Sequence, residues 1–387
     1  GGIYVFLREA YGRWLAFVFG WTYLLVAKSM AAGGIAVIFA SHFNLLFGTQ
    51  INNVLLTCIT LSVLTMVNVI GVELGARVAV VLTALKVLAL LTIVALGLLL
   101  APSHGSASNF VSGDGGLTVD AKPLWQALVA VMAAVLWTYD GWSDVGAIAG
   151  EVKNPGRTLP LIYLAGTIVI IGIYVSVNAA YLWHIPLAEM RTAETIAPLY
   201  VEAVVGKAVN TDGSVANAGA WGATIIALVV VVSTLGSTHG SIMTGARVTF
   251  QQARDGLFFA PLGRVNPTFK TPAVSLWTQL ALSCLGVYWF ETFDKLAGGF
   301  VFTMWIFYAL AGVAIFILRA KRPEVERPYR CFGYPFVPAM FVLSGVLMTV
   351  LSIAENPKDT LLWAGILAAG VPVYFVWSRV MPGRAAA

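Results

Sequence analysis

Apolar residues along this chain run in long blocks. Short clusters of Gly, Pro, Asn and charged residues separate them, and no stretch keeps a two-residue alternation. Ten blocks are candidate helices, at residues 14–43, 54–73, 76–100, 124–150, 160–183, 217–246, 273–290, 298–319, 336–353 and 361–378. A helix of about 20 residues crosses a hydrocarbon core of about 30 Å. Backbone groups in lipid must satisfy one another, which leaves helices or closed barrels. Barrel strands would read as segments of about 10 residues with alternating polarity, and none is present. The pattern therefore predicts an all-α, multi-pass membrane protein.

The fourth block departs from the rule. After the apolar run Leu124 to Leu136 it reads "WTYDGWSDVGAIAGEVKNP" from Trp137 to Pro155. Thirteen residues at about 1.5 Å each are too few to cross. A charge at a helix centre costs about 2.5–3.5 kcal/mol on insertion scales. Asp140 and Asp144 are four apart and would share a face of an intact helix, while Gly141 between them weakens that helix. The combination predicts two half-helices joined by unwound backbone. Such breaks are tolerated where they line a cavity or lie buried in protein, and in transporters they form the substrate site. Two blander readings stay open: a kinked helix whose aspartates face a watery vestibule, and an aspartate that merely caps the second half-helix.

Composition narrows the class. The 387 residues are 59% hydrophobic and 11% charged, with mean hydropathy +0.85; soluble domains carry about 25% charged residues. Cys58, Cys284 and Cys331 lie far apart, and the four histidines are scattered. No metal spacing, disulfide framework, phosphate loop, nucleophile elbow or nucleic-acid signature is present. The expectation is no enzyme, no metal, no cofactor and no nucleic-acid partner. The lipid bilayer and a small molecule are the expected partners.

Charge then sets orientation. Most of the 23 lysines and arginines fall on one side of the ten blocks, among them Arg8, Arg77, Arg157, Arg254, Arg322 and Arg330. By the positive-inside rule that side is cytoplasmic, and both termini of the chain share it. The segment 101–123 is Gly/Ser-rich and expected to be irregular. Within 184–216, "AETIAPLYVEAVVGKA" predicts a short helix over the outer mouth. "RAKRPEVERPYRCFGYPFVP" reads as a solvated basic connector.

Two lysines lie inside blocks. Lys86 is about ten residues, roughly 15 Å, past Ala76. At mid-bilayer depth it suits a proton carrier or a substitute for a bound cation; a structural amine bonded between helices is the alternative. Lys28 lies nearer the outer end and is expected to snorkel. In "STLGSTHGSIMTGAR", Ser233 and Ser237 share a face that either packs helices or meets Lys86 or an ion. His239 is expected to be packed or water-facing and not a relay. Trp137 lies too deep for an interfacial belt and reads as a gate.

"WTYDGWSDVGAIAGEVKNPGRTLP" resembles the sixth-helix signature of the amino acid–polyamine–organocation transporters, nearest their L-type and bacterial neutral amino acid permease branches. "GGIYVFLREAYGRWLAFVFGW", "NVIGVELGARVAVVLTALK" and "STLGSTHGSIMTGARVTFQQARDG" agree in order along the chain. The resemblance implies a leucine-transporter-like fold of twelve helices, the first ten in two inverted five-helix repeats. The ten blocks align with family helices three to twelve. Residues 1–100 are then the remainder of the first repeat, 124–319 the second repeat, and 336–378 two C-terminal helices. The opening Gly1, with no initiator methionine, is read as an N-terminal truncation that removes the first two helices and their Gly-rich break.

By the same resemblance Trp137 is the aromatic gate, and Tyr139, Asp140, Gly141, Trp142 and Ser143 form the unwound substrate segment. Lys86 takes the place of sodium in sodium-coupled relatives, beside Ser233 and Ser237. Lys28 resembles a basic residue found there in the L-type branch, although Ser29 stands where proline often follows. "NLLFGTQINN" lacks the cysteine that bonds a heavy-chain glycoprotein, so no disulfide-linked heavy chain is expected. The implied function is secondary active transport of amino acids, as a proton-coupled symporter or exchanger in the plasma membrane of a bacterium. Neutral L-amino acids are the leading substrates. Cationic amino acids or polyamines are the alternative, and a transporter-like sensor or a channel stands further off.

Overall fold

A computed structural model describes residues 1–100, 105–110, 131–132, 135–193, 196–206, 218–327, 329–355 and 357–380. These residues form helices and turns, with no strand among them. In chain order the α-helices are α1 (Ile3–Tyr11), α2 (Arg13–Thr22), α3 (Ser29–Phe47), α4 (Asn53–Ile70), α5 (Val72–Leu100), α6 (Asp144–Ala147), α7 (Pro155–His184), α8 (Leu187–Thr192), α9 (Ile196–Val201), α10 (Ala218–Arg254), α11 (Ala273–Phe290), α12 (Phe293–Lys321), α13 (Phe336–Glu355) and α14 (Pro357–Val380). A π-helical turn, Tyr23–Lys28, joins α2 to α3 in one rod, Arg13–Phe47.

Among the described residues nine helices are long and apolar enough to cross a membrane. They coincide with nine of the ten expected blocks. The tenth, 124–150, lies partly outside the described residues. The helix expected over the mouth forms as α9, followed by a π turn, Glu202–Gly206. Most of 101–123 lies outside the described residues.

Burial sorts the helices. The rod Arg13–Phe47 is the most enclosed, with 78% of its apolar window buried, against 6% for Glu73–Leu99 and 11% for Pro155–His184. The rod therefore forms the axis of the described bundle, and the other described residues leave most of α5 and α7 uncovered. α10 packs along α3, and α12 against both α3 and the π turn. Lipid is as apolar as leucine, so helix association rests on close packing and polar links. Such links cross between helices at Tyr11 Oη to Leu310 O (2.8 Å), Gln252 Nε2 to Ala16 O (3.0 Å), Thr271 Oγ1 to Val69 O (2.8 Å) and Trp21 Nε1 to Ile366 O (3.0 Å).

The fourth block breaks where its sequence predicts. The amide of Tyr139 still bonds Val135 O (3.0 Å), as in an α-helix. Asp140 N instead bonds Trp137 O (3.1 Å), and Asp144 N bonds Gly141 O (3.1 Å). Gly141 has φ +108°, a conformation open to glycine and strained for other residues. Beyond the break, α6 is one turn long, and Ala149–Glu151 continues as 3₁₀-helix. The second half is thus shorter and less regular than a half-helix. Asn154 at φ 49° and Pro155 then start α7, Pro in the first turn removing an amide that has no helical partner.

Candidate functional site

The break faces a cavity of about 510 Å³, lined by the rod, α5, the 137–144 segment, Tyr174 of α7, α10 and α12. Trp137, Asp140, Gly141, Lys86 and Ser237 all line it. Trp137 forms part of its wall, edge-on to Phe293 (5.4 Å between ring centres, 79°) and Phe300 (5.2 Å, 87°). Asp140 Oδ1 accepts the Tyr308 hydroxyl at 2.7 Å, and Ser143 Oγ lies 3.1 Å from the Tyr308 hydroxyl oxygen. Lys86 Nζ donates to Ser237 Oγ at 2.7 Å, the α5–α10 bridge that their positions suggested.

The remaining expected residues lie outside the lining. Tyr139 turns toward α7 and meets Tyr174 edge-on at 5.2 Å. Trp142 packs at a tilt against Tyr308 (5.0 Å, 44°) and edge-on against Phe341 (6.0 Å, 85°). Ser143 points to Tyr308, and Ser233 lies along α10 away from the cavity. The unwound segment therefore offers Asp140 and Gly141 to the cavity, and anchors itself with its other side chains. His239 is packed as expected, buried between Asn68 Nδ2 (3.2 Å) and Gly75 O (2.8 Å).

Lys28 corrects an expectation. It does not snorkel: it is 5% exposed, turned inward, and its Nζ lies 2.6 and 2.7 Å from the two oxygens of Asp144. Thr244 Oγ1 adds a hydrogen bond to Asp144 Oδ2 at 3.1 Å. Pairing explains the inward turn, since an isolated buried charge costs several kcal/mol and a partner with good geometry offsets it. Two opposite charges deep in apolar blocks were the available sequence signal for this pair. Tyr308 left none, being one hydroxyl in the aromatic run of α12. Ser241 also lines the cavity, and its buried hydroxyl has no hydrogen-bond partner among the described residues.

A broken helix that turns aspartate and bare backbone toward a cavity between membrane-spanning helices is the arrangement of a solute carrier. The profile of the amino acid permease family matches residues 1–377. The chain belongs to the amino acid permease family. Among its relatives, the serine/threonine exchanger SteT of Bacillus subtilis (strain 168) is 29% identical over 380 residues, covering 97% of this chain and 81% of that protein. The human b(0,+)-type amino acid transporter 1 is 26% identical over 384 residues, covering 97% and 74%. The human large neutral amino acids transporter small subunit 2 is 26% identical over 395 residues, covering 97% and 68%. The permease is thus a multi-pass secondary transporter of amino acids and not an enzyme. Among its described residues no group of His, Cys, Asp or Glu is placed to hold a metal.

Proposed function

We propose that the permease carries neutral L-amino acids by alternating access, with the substrate held against the break at Asp140 and Gly141. The observation that carries this reading is the charge inventory of the cavity among the described residues. Lys28 and Asp144 cancel, and the remaining Lys86 and Asp140 bond neutral hydroxyls. A zwitterion adds no net charge to such a set. The cationic or polyamine alternative drew its strength from two free aspartates, and Asp144 is already paired. SteT, named for serine and threonine exchange, and the neutral transporter subunit support the same class.

In this reading Trp137 gates the ligand, and Ser241 is a free hydroxyl within its reach. Lys86, bridged to Ser237, either cycles a proton or stays as a fixed cation in an exchanger. The 1–100, 124–319 and 336–378 division, as parts of two inverted repeats and a C-terminal pair, is proposed on the same footing. So is a cytoplasmic placement of both termini of this chain. Its support is that Arg8, Arg322 and Lys321 gather at one end, where Arg322 bonds Glu9 (2.7 Å) and Lys321 bonds Ala10 O (2.9 Å). The lack of cysteine in "NLLFGTQINN" supports the absence of a disulfide-linked heavy chain.

Uptake by the full-length protein of leucine, serine, arginine and putrescine tests the proposal. Leucine or serine should be carried and putrescine excluded. Transport of putrescine alone would overturn it.

A further inference from the structure

Among the described residues four charged side chains line the cavity, and their partners differ in kind. Lys86 rests on the Ser237 hydroxyl and Asp140 on the Tyr308 phenol. Lys28 is held by a full charge, with both oxygens of Asp144 within 2.7 Å. Its ammonium also lies 5.7 Å from the centre of the Tyr23 ring.

The seat of Lys28 is built by three separate features. The π turn Tyr23–Lys28 ends on this lysine, and such turns in helices are frequent at functional sites. Across from it, α10 has Gly245. A Cβ there would lie 2.9 Å from Lys28 Cβ and 2.7 Å from Gln279 Oε1, so the glycine leaves the lane the lysine stem follows. Finally, Asp144 is the first residue of α6, directly after the break, and Thr244 fixes its second oxygen.

We infer that Asp144 is the charge filter of this cavity: as the internal counter-ion of Lys28, it withholds a second cation from the substrate and so excludes amino acids with an anionic side chain. The inference rests on the cavity being the substrate site. With Asp144 present, the four described charges sum to zero, and a glutamate would add a net negative charge that no second free cation among the described residues offsets. Without Asp144 the Lys28 ammonium is buried and unpaired, a costly state that an incoming carboxylate relieves. Asp144 is thus a specificity-determining residue that acts through Lys28.

The test uses full-length protein in proteoliposomes, with L-glutamate and L-cysteate as competitors of uptake of a carried neutral amino acid. Wild type should resist both. Asp144→Asn should bind glutamate at least about tenfold more tightly than wild type. The double variant Lys28→Gln/Asp144→Asn should return to wild-type resistance. If Asp144→Asn carries its neutral substrate yet gains nothing for glutamate, the filter is wrong. It is equally wrong if the double variant gains as much as the single one. Should Asp144→Asn fail to transport, thermal stabilisation of the purified variants by L-glutamate reads the same order. No stabilisation of the single variant would then overturn the inference. A wild type that carries no neutral amino acid would instead fail the proposed function, while the glutamate-binding comparison would still read the filter.

Discussion

At the residue scale the cavity depends on hydroxyls that hold charges in place. Tyr308 donates to Asp140 and contacts Ser143, so it ties α12 to the unwound segment from both sides. Tyr308→Phe keeps the ring packing against Trp142 and Trp305 and removes only the oxygen. Leaving a buried acceptor unpaired costs about 1–3 kcal/mol. Uptake kinetics should show a KM raised about tenfold, with surface expression retained. Lys86 makes a different claim. Lys86→Ala should abolish transport or its pH dependence, and Ser237→Ala, which removes the partner alone, should weaken transport less. Wild-type uptake by Lys86→Ala at every pH would refute a coupling role. Lys86 and Ser237 were legible as a pair because each stands out in an apolar block. Lys28 was misread because depth along one helix does not reveal which way a long side chain turns. Only the partner on another helix decides that.

At the element scale the break is what the sequence announced most clearly. Two aspartates and a glycine in a span too short to cross leave few other outcomes, and the backbone turns at those residues. Its local consequences were less legible. The second half is a single α turn, and Tyr139, Trp142 and Ser143 serve as anchors. Which side chains of an unwound segment face inward depends on turn geometry that spacing does not encode. Gly141→Ala tests the element directly. Its positive φ costs another residue about 1–3 kcal/mol, and beyond its two chain neighbours no described atom lies within 4 Å of the added methyl position. Conformation and not crowding is therefore perturbed. The expected result is normal membrane insertion with transport reduced at least about tenfold, measured by initial rates of uptake.

At the scale of the whole molecule, one end is tied by a charged network outside the spans. Arg8 bridges Glu9 and Asp255, Tyr4 donates to Asp255 (2.9 Å), and Arg322 bonds Glu9 (2.7 Å). The network joins α1 to the ends of α10 and α12. Burial pushes the Glu9 carboxyl up, but the hydrogen bonds and charges of Arg8 and Arg322 outweigh it and hold the group below its usual range. A group depressed in the folded state stabilises above its unfolded value, and that contribution is lost as pH falls through the folded value. Glu9→Gln should therefore lower the melting temperature of purified protein at neutral pH, and the difference should close as pH drops below the carboxylate range. High salt should shrink it as well. The bundle itself was readable from block lengths, because lipid leaves a helix little choice. The axis was not, since apolar blocks facing lipid and blocks facing protein look alike in composition. The central claim is that a carried amino acid sits in the cavity beside the break. Ser241→Cys, in full-length protein freed of its native cysteines, Cys58, Cys284 and Cys331 among them, places a single thiol there. Labelling it with a small methanethiosulfonate reagent should block uptake, and serine or leucine should slow the labelling in proportion to its affinity for transport. A labelling rate unchanged by every carried substrate would contradict the claim.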